Sequence, residues 1–134
     1  MAFIHLYTIL CDDVRKEDNG KLMILGLYAN EILIPQLPYV FSTLSFFQGF
    51  KAEEIGQHWF EAKLSHTETG KILAQAMGSV QVSKPGPAFS VLRFSGIKFE
   101  NLGAYYFRYG EVGQDQAIDY HFDVKLKELE PKGV

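Results

Sequence analysis

Five oxygen-bearing side chains crowd the segment Cys11–Gly20, CDDVRKEDNG: Asp12, Asp13, Glu17, Asp18 and Asn19. A hard cation such as Ca²⁺ takes roughly six to eight oxygens, so this cluster is the first candidate for chemistry. Asp12, Asp13 and Asp18 are its candidate ligands. Adjacent residues of a strand point to opposite faces, however, and Asp12 and Asp13 reach one ion only where the strand bends. Arg15, Lys16 and Lys21 nearly cancel the local charge. The residues therefore favour a carboxylate paired with Arg15, or one accepting backbone N–H groups at a turn, over a metal site.

The other reactive types give weaker signals. Cys11 is the one cysteine, which excludes an intramolecular disulfide and a multi-thiolate metal site. Its neighbours Asp12 and Asp13 oppose a thiolate, so an inert, buried thiol is expected. Four histidines are present, His5, His58, His66 and His121. His58 and His66 fall on one strand face but roughly 26 Å apart at ~3.3 Å per residue, and single hydrogen-bonded histidines are expected rather than a metal centre. Trp59 falls on an outward position beside Glu61 and Lys63, and aromatics on a solvated face often mark interfaces. With Tyr106 and Arg108 it forms the candidate interaction patch, the alternative being a ring packed beneath a loop. Walker, dinucleotide-binding, His-Glu-x-x-His and Gly-x-Ser-x-Gly motifs are absent, and no cofactor is implied.

Strands must position these residues. Two apolar runs, Phe3–Cys11 and Leu22–Tyr28, flank the polar connection that closes on Asn19-Gly20, a pair that tolerates the positive φ of a tight hairpin. Alternation along Phe3–Val14 sends Phe3, Tyr7, Ile9 and Cys11 one way and Ile4, Leu6 and Leu10 the other. Lys21–Asn30 pairs back, Ile34–Pro38 crosses between sheets, and Tyr39–Phe50 is a third strand. Gln57–His66 points Phe60, Ala62 and Leu64 inward; Lys71–Val82 returns, with Gly78 as its expected bulge. Phe89–Phe99, Ala104–Tyr109 and Ala117–Lys127 follow, and the last has a clean period of two, with Ile118, Tyr120, Phe122, Val124 and Leu126 inward. The expectation is all-β: an antiparallel two-sheet β-sandwich of about eight strands, immunoglobulin-like or C2-like, with a β-barrel as the alternative.

The totals agree. With 134 residues the chain reads as a single domain spanning 1–134, large enough for a core without staples. A net charge of −3 offers no general attraction to phosphate backbones, so nucleic acid is not expected as a partner. No apolar run has the length of a membrane-spanning helix. The opening MAFIHLYTILC lacks the basic residues of a secretory leader and puts Leu10 where a small residue would precede cleavage, so a cytoplasmic location is expected.

The motif Cys11-Asp12-Asp13-Val14-Arg15, then Gly20-Lys21-Leu22, then Gly26-Leu27-Tyr28, resembles an uncharacterised bacterial family of small β-sandwich proteins. Phe99, Gly103, Tyr105 and Phe107 match the aromatic hairpin that closes those chains. The resemblance implies the fold and no activity. The expected function is a non-enzymatic binding or interaction module that self-associates through sheet edges and aromatic faces, with a possible protein partner besides. Two alternatives stand beside it: a Ca²⁺-dependent, C2-like lipid- or ligand-binding domain, and a small-molecule enzyme whose site carries no motif.

Overall fold

Asn19-Gly20 does close a hairpin. In the computed structural model, which describes residues 3–128, β1 (Phe3–Lys16) pairs antiparallel with β2 (Leu22–Tyr28), Lys16 lying opposite Leu22. The Glu17 N–H donates to the Lys21 carbonyl (2.7 Å), the Asn19 side chain accepts from the Lys21 N–H, and Gly20 takes φ +87°. The remaining strands are β3 (Glu31–Ile34), β4 (Tyr39–Ala52), β5 (Gly56–His66), β6 (Ile72–Val82), β7 (Gly86–Phe99), β8 (Gly103–Glu111) and β9 (Ala117–Leu126). Two sheets pack face to face in a β-sandwich. The first has the order β2-β1-β4-β7; the second, β3-β9-β8-β5-β6, curls into a half-barrel. Among the described residues no helix is long and apolar enough to cross a membrane.

The core between the sheets is largely aromatic. Phe46 of β4 stacks on Phe107 of β8 at 3.9 Å between centroids, tying one sheet to the other. Phe50, Phe60 and Tyr109 stack beside them, and Phe99, Tyr105 and Phe122 fill the opposite end. Offset aromatic pairs of this kind add about 0.5–1.5 kcal/mol each beyond the area they bury. The alternation expected of β5 holds, with Phe60, Ala62 and Leu64 buried and Trp59, Glu61 and Lys63 exposed. That of β9 holds in its middle, where Phe122 and Val124 are buried, and frays at Leu126.

The register departs from the sequence expectation in four places. Among the described residues there are nine strands, because the four-residue β3, which follows the second run, forms a strand of its own in the other sheet. β3 also runs parallel to β9, so the sandwich is not wholly antiparallel; Ile32 and Ile34, both fully buried, hold it there. The bulge expected at Gly78 is absent, since Gly78 lies in regular register opposite Phe60, and the irregularity falls at Leu73, between the Leu64–Ala74 and Ser65–Ile72 pairs. Finally, an extra residue at Leu6 shifts β1 between His5 and Tyr7. That bulge moves the phase of the alternation by one. Phe3 therefore enters the main core, while Cys11, eight residues later, joins a separate cluster with Val14 and Phe47.

Candidate functional site

The two aspartates of the opening motif part company. Asp12 accepts a hydrogen bond from the Tyr28 hydroxyl across the hairpin at 2.5 Å, and Gly26, at φ +68°, leaves room for its carboxylate. Burial, and then the Asp12 carboxylate, push the Tyr28 hydroxyl well above its ordinary range. Asp13 instead accepts from Arg93 Nε of β7 (2.7 Å), from Arg15 Nε (3.2 Å) and from the Val14 N–H (2.9 Å). The Arg93 guanidinium holds its carboxyl below the usual carboxylate range. Asp18 stays exposed in the turn, and the described residues contain no group of three or more His, Cys, Asp or Glu side chains able to hold a metal ion. Cys11 is fully buried, and burial followed by its two aspartate neighbours raises its thiol. Lys21 contributes its backbone to the turn. The motif is thus built into the hairpin itself.

On the outer face of the second sheet, Tyr106 and Arg108 come together. Arg108 donates from Nε and Nη2 to both oxygens of Asp119 (2.8 and 2.9 Å), with its guanidinium carbon 5.3 Å from the Tyr106 ring centroid. That pairing holds the Asp119 carboxyl below its ordinary value. The His121 ring lies tilted beside that of Tyr106, 6.3 Å between centroids. Trp59 is exposed on the same face but stands apart: Arg108 lies opposite Lys63, four residues further along β5, or about 13 Å at ~3.3 Å per residue.

The first sheet carries a more apolar outer face, which the sequence reading missed. Register places Leu27, Cys11, Ser45 and Arg93 in one row across its four strands, Ile9, Phe47 and Val91 in the next, and Tyr7, Gly49 and Phe89 in a third. Phe47 is covered by stacking from Tyr7 at 5.9 Å and Phe89 at 5.5 Å. Tyr7, Phe89 and Leu27 are themselves 45%, 52% and 67% exposed. The Asp13–Arg93–Arg15 ion pairs edge this surface, giving an apolar centre with a charged rim. β2 forms its border, a seven-residue strand without a single charge, paired with β1 alone. The aromatics were visible in the sequence, but every one of them read equally well as core.

Three histidines serve as internal fasteners. His66 donates from Nε2 to the Leu102 carbonyl (3.0 Å) and meets Thr69 through Nδ1 (2.8 Å), so it ties two turns together. His58, 9% exposed, donates from Nε2 to the Glu54 carbonyl (3.0 Å) and from Nδ1 to Glu111 Oε2 (2.9 Å). With both nitrogens facing acceptors, the imidazolium is favoured, and the Glu111 carboxylate raises the His58 pKa first among the causes. His5 Nε2 contacts Thr8 Oγ1 (2.8 Å) and Gln48 Oε1 (3.2 Å), and the Thr8 hydroxyl donates to Gln48 Oε1 (2.6 Å). Gln48 is fully buried and its Nε2 has no partner among the described residues. Beside His5, where β1 begins and β8 turns into β9, the sheets stand apart around a cavity of about 280 Å³.

Residues 6–128 match DUF6941, a family of unknown function. The chain belongs to that family. Members carry no described activity through this match, and no curated protein matches the chain. Among solved structures, this DUF6941 chain is similar to part of the beta-glucosidase from Listeria innocua, in complex with isofagomine (TM-score 0.49) and with glucose (TM-score 0.48). Each likeness is at 10% identity and covers 92% of this chain but 16% of the enzyme, so this chain spans a small part of the length of those structures.

Proposed function

We propose that this DUF6941 chain acts, as one domain, as a non-enzymatic interaction module that pairs with a second copy of itself through the outer face of the first sheet. The observation that carries this reading is the Tyr7–Phe47–Phe89 stack, exposed on both flanks and continuous with Leu27 on the uncharged edge strand β2. Solvated sheet faces are normally polar, and free edges are normally guarded by charge. Neither rule is kept here. Four strands ~4.8 Å apart and about ten residues long present roughly 600 Å² in projection, close to the roughly 800 Å² per partner of a standard interface. The apolar centre of the face also suits a copy of itself, since a two-fold contact sets like residues near like.

The patch of Trp59, Tyr106 and Arg108 belongs to this proposal as a secondary contact. It ranks second because Arg108 is already engaged with both carboxylate oxygens of Asp119. A Ca²⁺-dependent reading gains no support from Asp12 and Asp13, whose oxygens are directed to Tyr28 and Arg93. We take the Cys-Asp-Asp-Val-Arg and Gly-Lys-Leu motif as a mark of the family and its bacterial members on the same footing.

Sedimentation velocity over a concentration series tests the reading. The wild-type chain is expected to dimerise, Phe89→Lys and Leu27→Lys to be monomeric, and Met77→Lys, exposed on the second sheet, to dimerise normally. A wild-type monomer at high concentration, or dimers indifferent to Phe89→Lys, would overturn it.

A further inference from the structure

The cavity at the β8–β9 end is a separate feature with its own chemistry. Phe3, Phe50, Phe60 and Tyr109 form its walls. The Tyr109 hydroxyl is spent on Ser90 (2.6 Å), so this residue offers its ring rather than its hydroxyl. At about 280 Å³ the space lies just under the usual range for small-molecule sites and admits a single ring with a short substituent.

The charged groups that line it are carboxylates. Glu111 gives Oε2 to His58, while Oε1 has no partner among the described residues. The Thr8 hydroxyl hydrogen is used on Gln48, so the hydrogen between His5 and Thr8 belongs to His5 Nε2. Asp115 adds a carboxylate at the mouth, where the amides of Gln114 and Gln116 complete the lining. Among the described residues no lysine or arginine lines the cavity. His58, next to Glu111, is turned to Glu111 and Glu54.

Aromatic walls with acceptors at the rim select a ligand that supplies a ring, hydrogen-bond donors and positive charge. We propose that the cavity binds a small primary amine carried on a single aromatic ring, the ring seated among Phe3, Phe60 and Tyr109 and the ammonium held by Glu111 and Asp115. Ring faces near the ammonium add to the attraction. The anionic analogue with the same ring meets two carboxylates, and an aliphatic amine leaves the walls uncovered.

Phenethylamine, phenylacetate and n-butylamine serve as probes, followed by ¹H–¹⁵N chemical-shift titration of the whole chain. Phenethylamine is expected to saturate with shifts confined to Phe3–His5, Phe50, Phe60 and residues 109–118, and the other two to bind at least about tenfold more weakly, as the loss of a charged hydrogen bond or of ring burial requires. Asp115→Asn, an exposed change that leaves the core alone, should weaken phenethylamine severalfold. Ile118→Trp should fill the space and abolish binding; its melting curve shows whether it folds, and Asp115→Asn carries the test if it does not. Equal binding of phenethylamine and phenylacetate, shifts elsewhere on the chain, or no saturation would overturn the assignment.

Discussion

Gly26 lies across the β1–β2 hairpin from Asp12, and a Cβ built on it would stand 2.1 Å from Asp12 Oδ2. The position is doubly restricted, by that carboxylate and by a φ of +68° that L side chains rarely adopt. Gly26→Ala should cost about 3 kcal/mol, combining left-handed strain with displacement of Asp12 from Tyr28. Gly20, at φ +87° with nothing near its Cβ position, provides the comparison. Gly20→Ala should cost only the strain, about 1 kcal/mol. Urea unfolding of both variants checks the order, and Asp12→Ala added to Gly26→Ala should recover part of the loss by removing the clash.

How the chain could be read depended on distance along it. The Asn19-Gly20 turn and the alternation of Phe60, Ala62 and Leu64 depend on neighbours in sequence, and both were legible. Gly26 stood out in an apolar strand, yet its reason, the Asp12 carboxylate, lies 14 residues back across the hairpin. The partner of Asp13 looked local, Arg15, but the shorter bond comes from Arg93, 80 residues away. Nothing near Asp13 announces Arg93, because sheet order and register, not sequence spacing, bring β7 to the end of β1. A bulge is equally silent: one extra residue at Leu6 turned Phe3 to the other side of a period-two count. The cavity rim joins His5 of β1 to Glu111 of β8, a juxtaposition that exists only once both sheets are assembled.

His58 makes stability depend on pH. Its folded-state pKa lies above the ordinary 6.5, chiefly through the Glu111 carboxylate, with the Glu54 carbonyl assisting and the Phe3 ring packed edge-on beside it. A raised histidine contributes stability that is complete below 6.5 and is lost as pH rises through the folded-state value. The free energy of unfolding should therefore fall as pH climbs above 6.5 and through the folded-state value. Glu111→Gln should flatten this slope while keeping a hydrogen-bonding side chain in place. Urea titrations at several pH values, together with the NMR titration of the His58 ring, measure both effects.

Gln48 is a polar side chain in an apolar layer, held by Thr8 and His5 through its oxygen and, among the described residues, without a partner for its Nε2. Gln48→Leu removes the orphaned amide but takes the acceptor from the Thr8 hydroxyl, and Thr8→Val leaves the Gln48 oxygen only its longer contact with His5 Nε2. Each single change should destabilise by about 1–2 kcal/mol, since a buried group left unpaired carries its full desolvation cost. The double variant should be more stable than the sum predicts, by about 1 kcal/mol or more. Additive single effects in a double-mutant cycle would show that the three side chains do not act as a unit.

Gly49 separates the face of the first sheet from its stability. A Cβ there would meet the Tyr7 ring at 2.3 Å, but Tyr7 is 45% exposed and free to swing outward, so the fold should accept the change. Gly49→Ala is expected to alter the unfolding free energy by less than about 1 kcal/mol. Its effect on self-association should be larger. Lifting Tyr7 breaks the stack on Phe47 and spoils the flat surface that a second copy would meet, and displaced interface aromatics commonly cost about 2 kcal/mol or more. Dimerisation should weaken by at least about tenfold, as in Tyr7→Ala. Sedimentation of the two variants beside their melting curves decides the matter: equal loss of stability and association would mark Tyr7 as part of the core, whereas loss of association alone assigns this face to the partner.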